Sequence, residues 1–172
     1  DRIIDGHGHD TINGGDGNDT VSSGQHNDYI IGGNGADYLD GGNNNDTIFG
    51  GAGEDTLRGS NGNDVLEGGT LASGPDTFVF DMAHRHDTIH DFDQNDELII
   101  NGASASDISV SSSNGSTTIS FGSTDVLLQG IGNETLSDFN ISTSGSTTTV
   151  IWDPVADTGS SDNTVICTYM HE

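Results

Sequence analysis

Aspartate recurs every nine residues in the first part of the chain, and this spacing could bind divalent metal ions. The sixth residue of each nine-residue unit between residues 5 and 67 is always Asp: Asp10, Asp19, Asp28, Asp37, Asp46, Asp55 and Asp64. Calcium prefers carboxylate and carbonyl oxygens as ligands. Regularly repeated carboxylates suit metal ligation better than the single acid/base pair of an active site. We therefore interpret the series as calcium ligands.

The unit repeats seven times without a shift of register, and Gly fills most of its first, second and fourth positions. A Gly/Asn/Asp-rich disordered linker is the alternative, but a linker has no reason to keep Asp and an aliphatic residue at fixed phase. Asp1 and Ile3 fit the end of an earlier unit, and an eighth unit starts at Gly68 with extra residues before Asp76. The eighth position is always aliphatic: Ile12, Val21, Ile30, Leu39, Ile48, Leu57 and Leu66.

The unit predicts one turn and one strand. The Gly-rich half can turn sharply because Gly reaches positive φ without a Cβ clash. Residues six to nine then form a short strand, in which the eighth side chain points inward and the seventh and ninth point to solvent. Two units make a coil of eighteen residues, and units of like parity stack at about 4.7 Å. Asp residues eighteen apart therefore become neighbours, and they repel each other unless a cation lies between them.

The repeat resembles that of the RTX family of bacterial exported proteins, which includes the C-terminal regions of serralysin-type proteases and alginate epimerases. The resemblance implies an all-β fold, a right-handed parallel β-roll (β-solenoid) with a C-terminal antiparallel β cap. It also implies about six to eight calcium ions, held between consecutive coils by loop carbonyls and sixth-position carboxylates. The carboxylate pairs carried over are Asp1/Asp19, Asp10/Asp28, Asp19/Asp37, Asp28/Asp46, Asp37/Asp55, Asp46/Asp64 and Asp55/Asp76. The loop glycines carried over as metal-site residues are Gly6, Gly8, Gly15, Gly17, Gly24, Gly33, Gly35, Gly42, Gly51, Gly53 and Gly62.

Residues 76–100 resemble the segment that closes RTX rolls in serralysin-like proteins, where a D-T-F-V-F strand precedes an acidic D-T-I-x-D-F stretch. Asp87 and Asp91 are further candidate metal ligands there, with Asp76, Asp93 and Asp96. The alternative is a solvated acidic loop. Residues 107–130 alternate in the manner of strands and contain Gly turns, which predicts the antiparallel cap. A solenoid end exposes unpaired strand edges, so a cap is physically required.

Three regions are expected: the roll at 1–80, a β cap continuous with it at 81–138, and a Ser/Thr-rich segment with a strand at 139–172. We expect the chain to be a piece of a longer protein. Around Cys167, the sequence Val-Ile-Cys faintly resembles the start of a self-splicing Hint domain, although a buried strand Cys is the favoured interpretation.

The composition excludes several partners. The net charge is −25, from 28 acidic and 3 basic residues, so nucleic acid and anionic membrane surfaces are not expected to bind. No apolar run is long enough for a membrane span. A single Cys excludes an internal disulfide framework. A chain with 30% apolar residues and this charge needs neutralisation before it can fold, and a divalent metal would supply it.

Signatures of catalysis are missing from the sequence. It contains no H-E-x-x-H zinc helix and no G-x-S-x-G elbow. His84, His86 and His90 could bind zinc, but their alternating spacing is not a zinc framework, and surface histidines are the favoured interpretation. Ice binding is disfavoured, since the third and fifth loop positions carry no Thr.

We therefore expect a non-catalytic module of a larger bacterial protein that is secreted, extracellular or on the cell surface. The resemblance implies type I secretion. The alternative is a calcium-dependent adhesive or carbohydrate-binding module. Beyond calcium, the expected partners are another protomer or the rest of the parent protein.

Two finer expectations concern the outer surface and the loops. One sheet should expose an apolar patch, with Ile31 and Phe49 side by side, that the C-terminal segment or another protomer covers. The loops should also differ, because His26 and Asn44 stand where other units have the fourth-position Gly. Calcium beside His26, between Asp10/Asp28 and Asp28/Asp46, should therefore bind most weakly.

Overall fold

The computed structural model describes residues 1–69, 74–82, 86–131 and 138–153, and these form sixteen strands and one short 3-10 helix. His84, Cys167 and the segment after residue 153 lie outside the described residues. The strands are β1 (Arg2–Ile4), β2 (Thr11–Asp16), β3 (Thr20–Gln25), β4 (Tyr29–Asn34), β5 (Tyr38–Asn43), β6 (Thr47–Ala52), β7 (Thr56–Asn61), β8 (Val65–Gly69), β9 (Thr77–Asp81), β10 (His86–Ile89), β11 (Glu97–Asn101), β12 (Ile108–Ser113), β13 (Ser116–Phe121), β14 (Thr124–Gln129), β15 (Phe139–Ser144) and β16 (Thr147–Trp152), with the 3-10 helix at Ala105–Asp107.

Alternate strands stack in parallel into two sheets. Sheet A has the order β1-β3-β5-β7-β9-β11-β16-β15, and sheet B has the order β12-β13-β14-β10-β8-β6-β4-β2. Strands one coil apart pair in register at eighteen residues, as Ile30 does with Ile12 and with Ile48. The expected all-β parallel β-solenoid with antiparallel strands at its C-terminal end is confirmed. No helix in the described ranges is long and apolar enough to span a membrane.

The strands differ in extent from the four-residue strands that the sequence predicts. Those from β2 to β7 begin at the seventh position and run through the third position of the next unit, as in β4 from Tyr29 to Asn34. The sixth-position Asp stays outside because its N–H donates to a carboxylate, as Asp10 donates to Asp28 Oδ1 at 2.8 Å. Its carbonyl still joins the ladder and accepts the Tyr29 N–H at 2.9 Å.

In the repeats, the core between the two sheets is a row of buried side chains, one from each unit. Every eighth-position residue of the seven units is buried, and those from Val21 to Leu66 are fully enclosed. Toward the C-terminal end the row gains aromatic rings: Phe78 lies 6.0 Å from Phe92, and Phe80 lies 6.4 Å from Phe121, centroid to centroid. Because Phe121 belongs to the antiparallel strands, the core of the roll continues into the cap.

The outer face of sheet B carries the expected apolar patch, formed by Tyr29, Ile31 and Phe49. The register places Ile31 beside Phe49, which confirms that expectation, and the Tyr29 and Phe49 rings lie 5.3 Å apart. The described C-terminal strands extend the sheets edge to edge, with β14 beside β10 and β16 beside β11. A cover over the patch stays a prediction.

The close stacking of coils predicts different outcomes for two neighbouring glycines. Gly15 and Gly33 are paired and both have positive φ, 103° and 121°. A Cβ at Gly33 would lie 2.1 Å from the Gly15 carbonyl oxygen, whereas a Cβ at Gly15 meets nothing within 4 Å. We expect Gly15→Ala to lower the free energy of unfolding by about 1 kcal/mol from backbone strain, and Gly33→Ala by about 2 kcal/mol more. Urea unfolding at saturating calcium measures both, and equal losses would contradict the steric explanation.

Candidate calcium sites along the loop edges

The sixth-position aspartates form two columns, one along each loop edge of the roll. In each step the backbone N–H of one Asp donates to Oδ1 of the Asp in the next coil, at 2.7 to 2.9 Å from Asp10/Asp28 to Asp55/Asp76. At the N-terminal end the Asp1 amino group contacts the Asp19 carboxylate. All seven predicted pairs are therefore brought together. Column 1 holds Asp1, Asp19, Asp37, Asp55, Asp76 and Asp96, and column 2 holds Asp10, Asp28, Asp46, Asp64 and Asp87.

Both columns continue past the regular repeats. Asp64 N–H donates to Asp87 Oδ1, and Asp76 N–H donates to Asp96 Oδ1, each at 2.8 Å. Sequence reasoning did not assign Asp96 to a column, because 20 residues separate it from Asp76 in place of 18. A usable signal was present in Asp96-Glu97-Leu98, which repeats the Asp-x-aliphatic pattern of the units.

Asp91, the other predicted ligand of this segment, lies outside the columns. Its carboxylate accepts the backbone N–H groups of Gly68 and Gly69, at 3.1 and 2.8 Å. Asp93 also hydrogen bonds within its own turn, where Oδ1 accepts the Asn95 N–H at 2.7 Å. Backbone donors of the protein thus surround the Asp91 carboxylate.

In six column carboxylates, those from Asp10 to Asp55, one oxygen is buried without a hydrogen-bond partner. Oδ1 accepts the N–H from the preceding coil, while Oδ2 turns toward the first residue of its own unit. A Cβ at Gly32 would lie 2.5 Å from Asp37 Oδ2, so the first-position Gly makes room for the carboxylate. The orphaned Oδ2 atoms belong to Asp10, Asp19, Asp28, Asp37, Asp46 and Asp55.

The loop glycines let consecutive coils approach closely. All the glycines predicted as metal-site residues except Gly6 have positive φ. At the fourth position, a Cβ at Gly35 would lie 2.4 Å from the Gly17 carbonyl oxygen, and one at Gly53 would lie 2.1 Å from that of Gly35. These contacts explain Gly at these positions. That their carbonyls bind calcium stays a prediction.

The fourth position imposes positive φ even where Gly is absent. His26 has φ of 80° and Asn44 has φ of 78°, a region that non-Gly residues occupy at a cost in free energy. Both belong to column 2 loops, as expected. The strain is therefore observed, while its effect on calcium affinity stays a prediction.

Burial raises the pKa of several column carboxylates. Loss of solvation raises the pKa of Asp46 and of Asp76 from 3.8 to about 7, and repulsion from neighbouring carboxylates adds to it. The same desolvation raises the pKa of Asp55 and of Asp96 to about 6. In each case a backbone N–H bond acts in the opposite direction and does not compensate. The roll therefore holds carboxylates whose negative charge is costly unless a cation or a proton neutralises it.

These residues fit calcium. The donors are oxygen atoms, the orphaned Oδ2 atoms need a partner, and the charges need neutralising, all of which a bound calcium ion would supply. The sixth-position aspartates would hold it together with loop carbonyls. In the described part of the chain, no three Asp, Glu, His or Cys side chains converge into a metal cluster made of side chains alone.

The described histidines of the 76–100 segment lie at the surface. His86 Nδ1 is 3.2 Å from Asp125 Oδ2, which links β10 to β14, and both side chains are well exposed. The backbone N–H of His90 donates to the Leu66 carbonyl at 3.1 Å. His84 lies outside the described residues.

The raised pKa values predict that acid favours the calcium-free folded state. A carboxyl whose pKa is higher in the folded than in the unfolded state makes folding proton-linked. Its contribution to the free energy of unfolding is fully present below the unfolded-state pKa of 3.8. That contribution is lost as the pH rises through about 6 to 7, the folded-state pKa values of Asp55, Asp96, Asp46 and Asp76. Calcium-stripped protein should show more β signal by circular dichroism at about pH 5 than at about pH 8. The calcium-loaded protein is the control, and equal calcium-free spectra at the two pH values would contradict the prediction.

A known repeat family matches the segment that carries most of the aspartate columns. The family model of the RTX calcium-binding nonapeptide repeat (4 copies) matches residues 1–30, 24–48 and 40–70. Among solved structures, the crystal structure of extracellular lipase LipA from Serratia marcescens is similar at 19% identity and a TM-score of 0.40, over 76% of this chain and 38% of that chain. This chain thus spans less than half the length of that lipase. No curated protein matches the chain. Residues 1–70 of this chain therefore match the RTX calcium-binding nonapeptide repeat, and residues 1–69 lie in the parallel β-roll.

Proposed function

We propose that the chain is a calcium-dependent folding module, a non-catalytic part of a larger exported protein. The observation that supports this most is the pair of aspartate columns. The Oδ2 atoms from Asp10 to Asp55 are buried without partners, and burial raises the pKa values of Asp46 and Asp76 to about 7. Carboxylates arranged in this way oppose folding while they are charged and unliganded. The same carboxylates favour folding once divalent cations bind, because the sites exist only in the folded state.

The charge balance supports calcium as the trigger. The chain carries −25, and about six to eight calcium ions would add about +12 to +16, roughly half to two-thirds of that charge. On this proposal the ions lie between the aspartates of consecutive coils, with the loop glycines supplying carbonyl ligands. Asp87 and Asp96 extend the two columns toward the C-terminal end.

The difference in calcium concentration between the cytosol and the outside would couple folding to export. In the calcium-poor cytosol the chain would stay unfolded and suited to passage through a type I secretion channel, and it would fold outside, where calcium is abundant. The protein would then be extracellular or bound to the cell surface. The proposed regions are a calcium-binding roll at 1–80, a cap at 81–138 and a further segment at 139–172 of a longer protein.

A second candidate function is calcium-dependent carbohydrate binding. It rests on the Tyr29 and Phe49 rings, which lie 5.3 Å apart on the outer face of sheet B, with Tyr29 42% exposed. Thr11, Asn13 and Thr47 surround them on the same face. Aromatic rings beside uncharged polar groups can contact the apolar face of a sugar and hydrogen bond its hydroxyl groups.

The main proposal predicts folding that depends on calcium. In chelator near neutral pH the circular dichroism spectrum should show mostly disorder, and millimolar calcium should restore the β signal. Asp37→Ala, which removes a buried column carboxylate, should raise the calcium concentration at the folding midpoint by about tenfold. Glu67→Ala is the matched control, since it removes the same charge from the outer face of β8, and its midpoint should stay near that of the unsubstituted protein. Equal β content with and without calcium would exclude the proposal.

The second candidate predicts glycan binding that depends on the aromatic pair. Calcium-loaded protein should bind particular glycans on an array, and Tyr29→Ser should lose that binding while its calcium-induced β signal is retained. Glu67→Ala serves again as the control for a change on the same face. An array without binding, or binding unaffected by Tyr29→Ser, would exclude this function.

A further inference from the structure

Side chains at the fifth position of the units form a second ladder along the loops of column 2. Each Asn of this ladder accepts the backbone N–H of the fifth-position residue in the next coil. The Asn45 N–H donates to Asn27 Oδ1 at 3.2 Å, and the Asn63 N–H donates to Asn45 Oδ1 at 3.0 Å. The His86 N–H donates to Asn63 Oδ1 at 3.2 Å. We call Asn27, Asn45 and Asn63 the asparagine ladder.

The asparagine ladder runs in the opposite direction to the aspartate column beside it. In the column, the N–H of each Asp donates to a carboxylate of the following coil, as Asp28 does to Asp46. In the ladder, the N–H of the preceding residue donates to a side chain of the previous coil, as Asn45 does to Asn27. The loops of Asn45 and Asn63 are thus each held to both neighbouring coils by two adjacent backbone N–H groups.

Column 1 has only the beginning of such a ladder in its repeats. Ala36 N–H donates to Asn18 Oδ1 at 3.0 Å, but Ala36 has no side-chain oxygen with which to continue. The two columns therefore differ in how far side chains connect their loops.

The ladder residues Asn27 and Asn45 lie next to the strained fourth-position residues His26 and Asn44. Column 1 has Gly17, Gly35 and Gly53 at that position, whereas column 2 has His26 and Asn44 at φ of 80° and 78°. The residues that directly follow His26 and Asn44 are Asn27 and Asn45, and their hydrogen bond joins the two strained loops. The His26 N–H also donates to Asn44 Oδ1, at 3.3 Å.

We propose that Asn27 and Asn45 are positioning residues for the calcium sites of column 2. They hold the loops that lack the fourth-position Gly in the conformation that calcium needs, and so they offset the cost of positive φ at His26 and Asn44. This inference rests on the proposed calcium binding and revises one expectation from the sequence. With the ladder intact, calcium beside His26 binds with an affinity close to that of the column 1 sites.

The test compares Asn27→Ala with the matched control Asn18→Ala. Each removes one acceptor of a fifth-position N–H bond, but only Asn27 lies between strained loops. Calcium titration against a competing chelator, followed by calorimetry and circular dichroism, gives the affinities. We expect Asn27→Ala to weaken the affected sites by about tenfold, and Asn18→Ala by about twofold. Asn27→Asp, which keeps the acceptor oxygen, should restore most of the affinity.

A double-mutant cycle separates positioning from simple stabilisation. In a His26→Gly/Asn44→Gly background the backbone strain is absent. Adding Asn27→Ala there should lower the calcium affinity by about twofold, no more than Asn18→Ala lowers it in the native background. The same loss in both backgrounds would overturn the proposal, as would equal losses for Asn27→Ala and Asn18→Ala. If Asn27→Ala does not fold, the proposal requires that the triple variant folds with calcium, and a triple variant that also fails overturns it.

The outcome for the unsubstituted chain keeps the two proposals apart. A chain that neither binds calcium nor folds with it contradicts the proposed function itself. A chain that folds with calcium but shows an additive cycle contradicts only the positioning role of the ladder.

Discussion

The stacking of one coil on the next at the spacing of hydrogen-bonded strands is the constraint on which the rest of the roll depends. Strand pairing at an eighteen-residue period places each sixth-position Asp against the equivalent Asp of the neighbouring coils. From Asp28 to Asp55, the backbone N–H of the preceding coil satisfies one carboxylate oxygen, and the other stays buried without a partner. Burial and mutual repulsion raise the pKa values of Asp46 and Asp55, so the demand for a cation follows from the geometry of the backbone.

The same spacing explains glycine at three positions of the unit. At the first position a Cβ would meet the carboxylate of its own unit, as at Gly32. At the second and fourth positions the backbone has positive φ and a Cβ would meet a carbonyl of the preceding coil, as at Gly33 and Gly35. Substitutions that do occur carry compensating bonds. Ser60, at φ of 70°, donates its hydroxyl to Asp40 Oδ1 at 2.7 Å.

Most of the roll could be predicted from the sequence, because a fixed period converts directly into stacked coils, a row of core side chains and two aspartate columns. Four features could not be predicted. The strand limits depend on where the Asp N–H donates, which the pattern does not state. Asp87 and Asp96 join the columns after loops of altered length, so the eighteen-residue spacing does not locate them. The asparagine ladder depends on the direction in which exposed side chains point, and β16 pairs with β11 across a long separation in sequence.

The source of stability changes along the length of the roll. In the repeats, the column carboxylates from Asp28 to Asp55 each receive one backbone N–H, and their other oxygen has no hydrogen-bond partner. Near the C-terminal end, protein donors take over this role. Arg58 pairs with Asp81, two glycine N–H groups bind Asp91, and both oxygens of Asp96 accept backbone N–H bonds. Aromatic residues widen the core at the same point. The C-terminal end therefore satisfies more of its carboxylate oxygens with protein donors, and on the proposed function it leaves fewer of them for a cation.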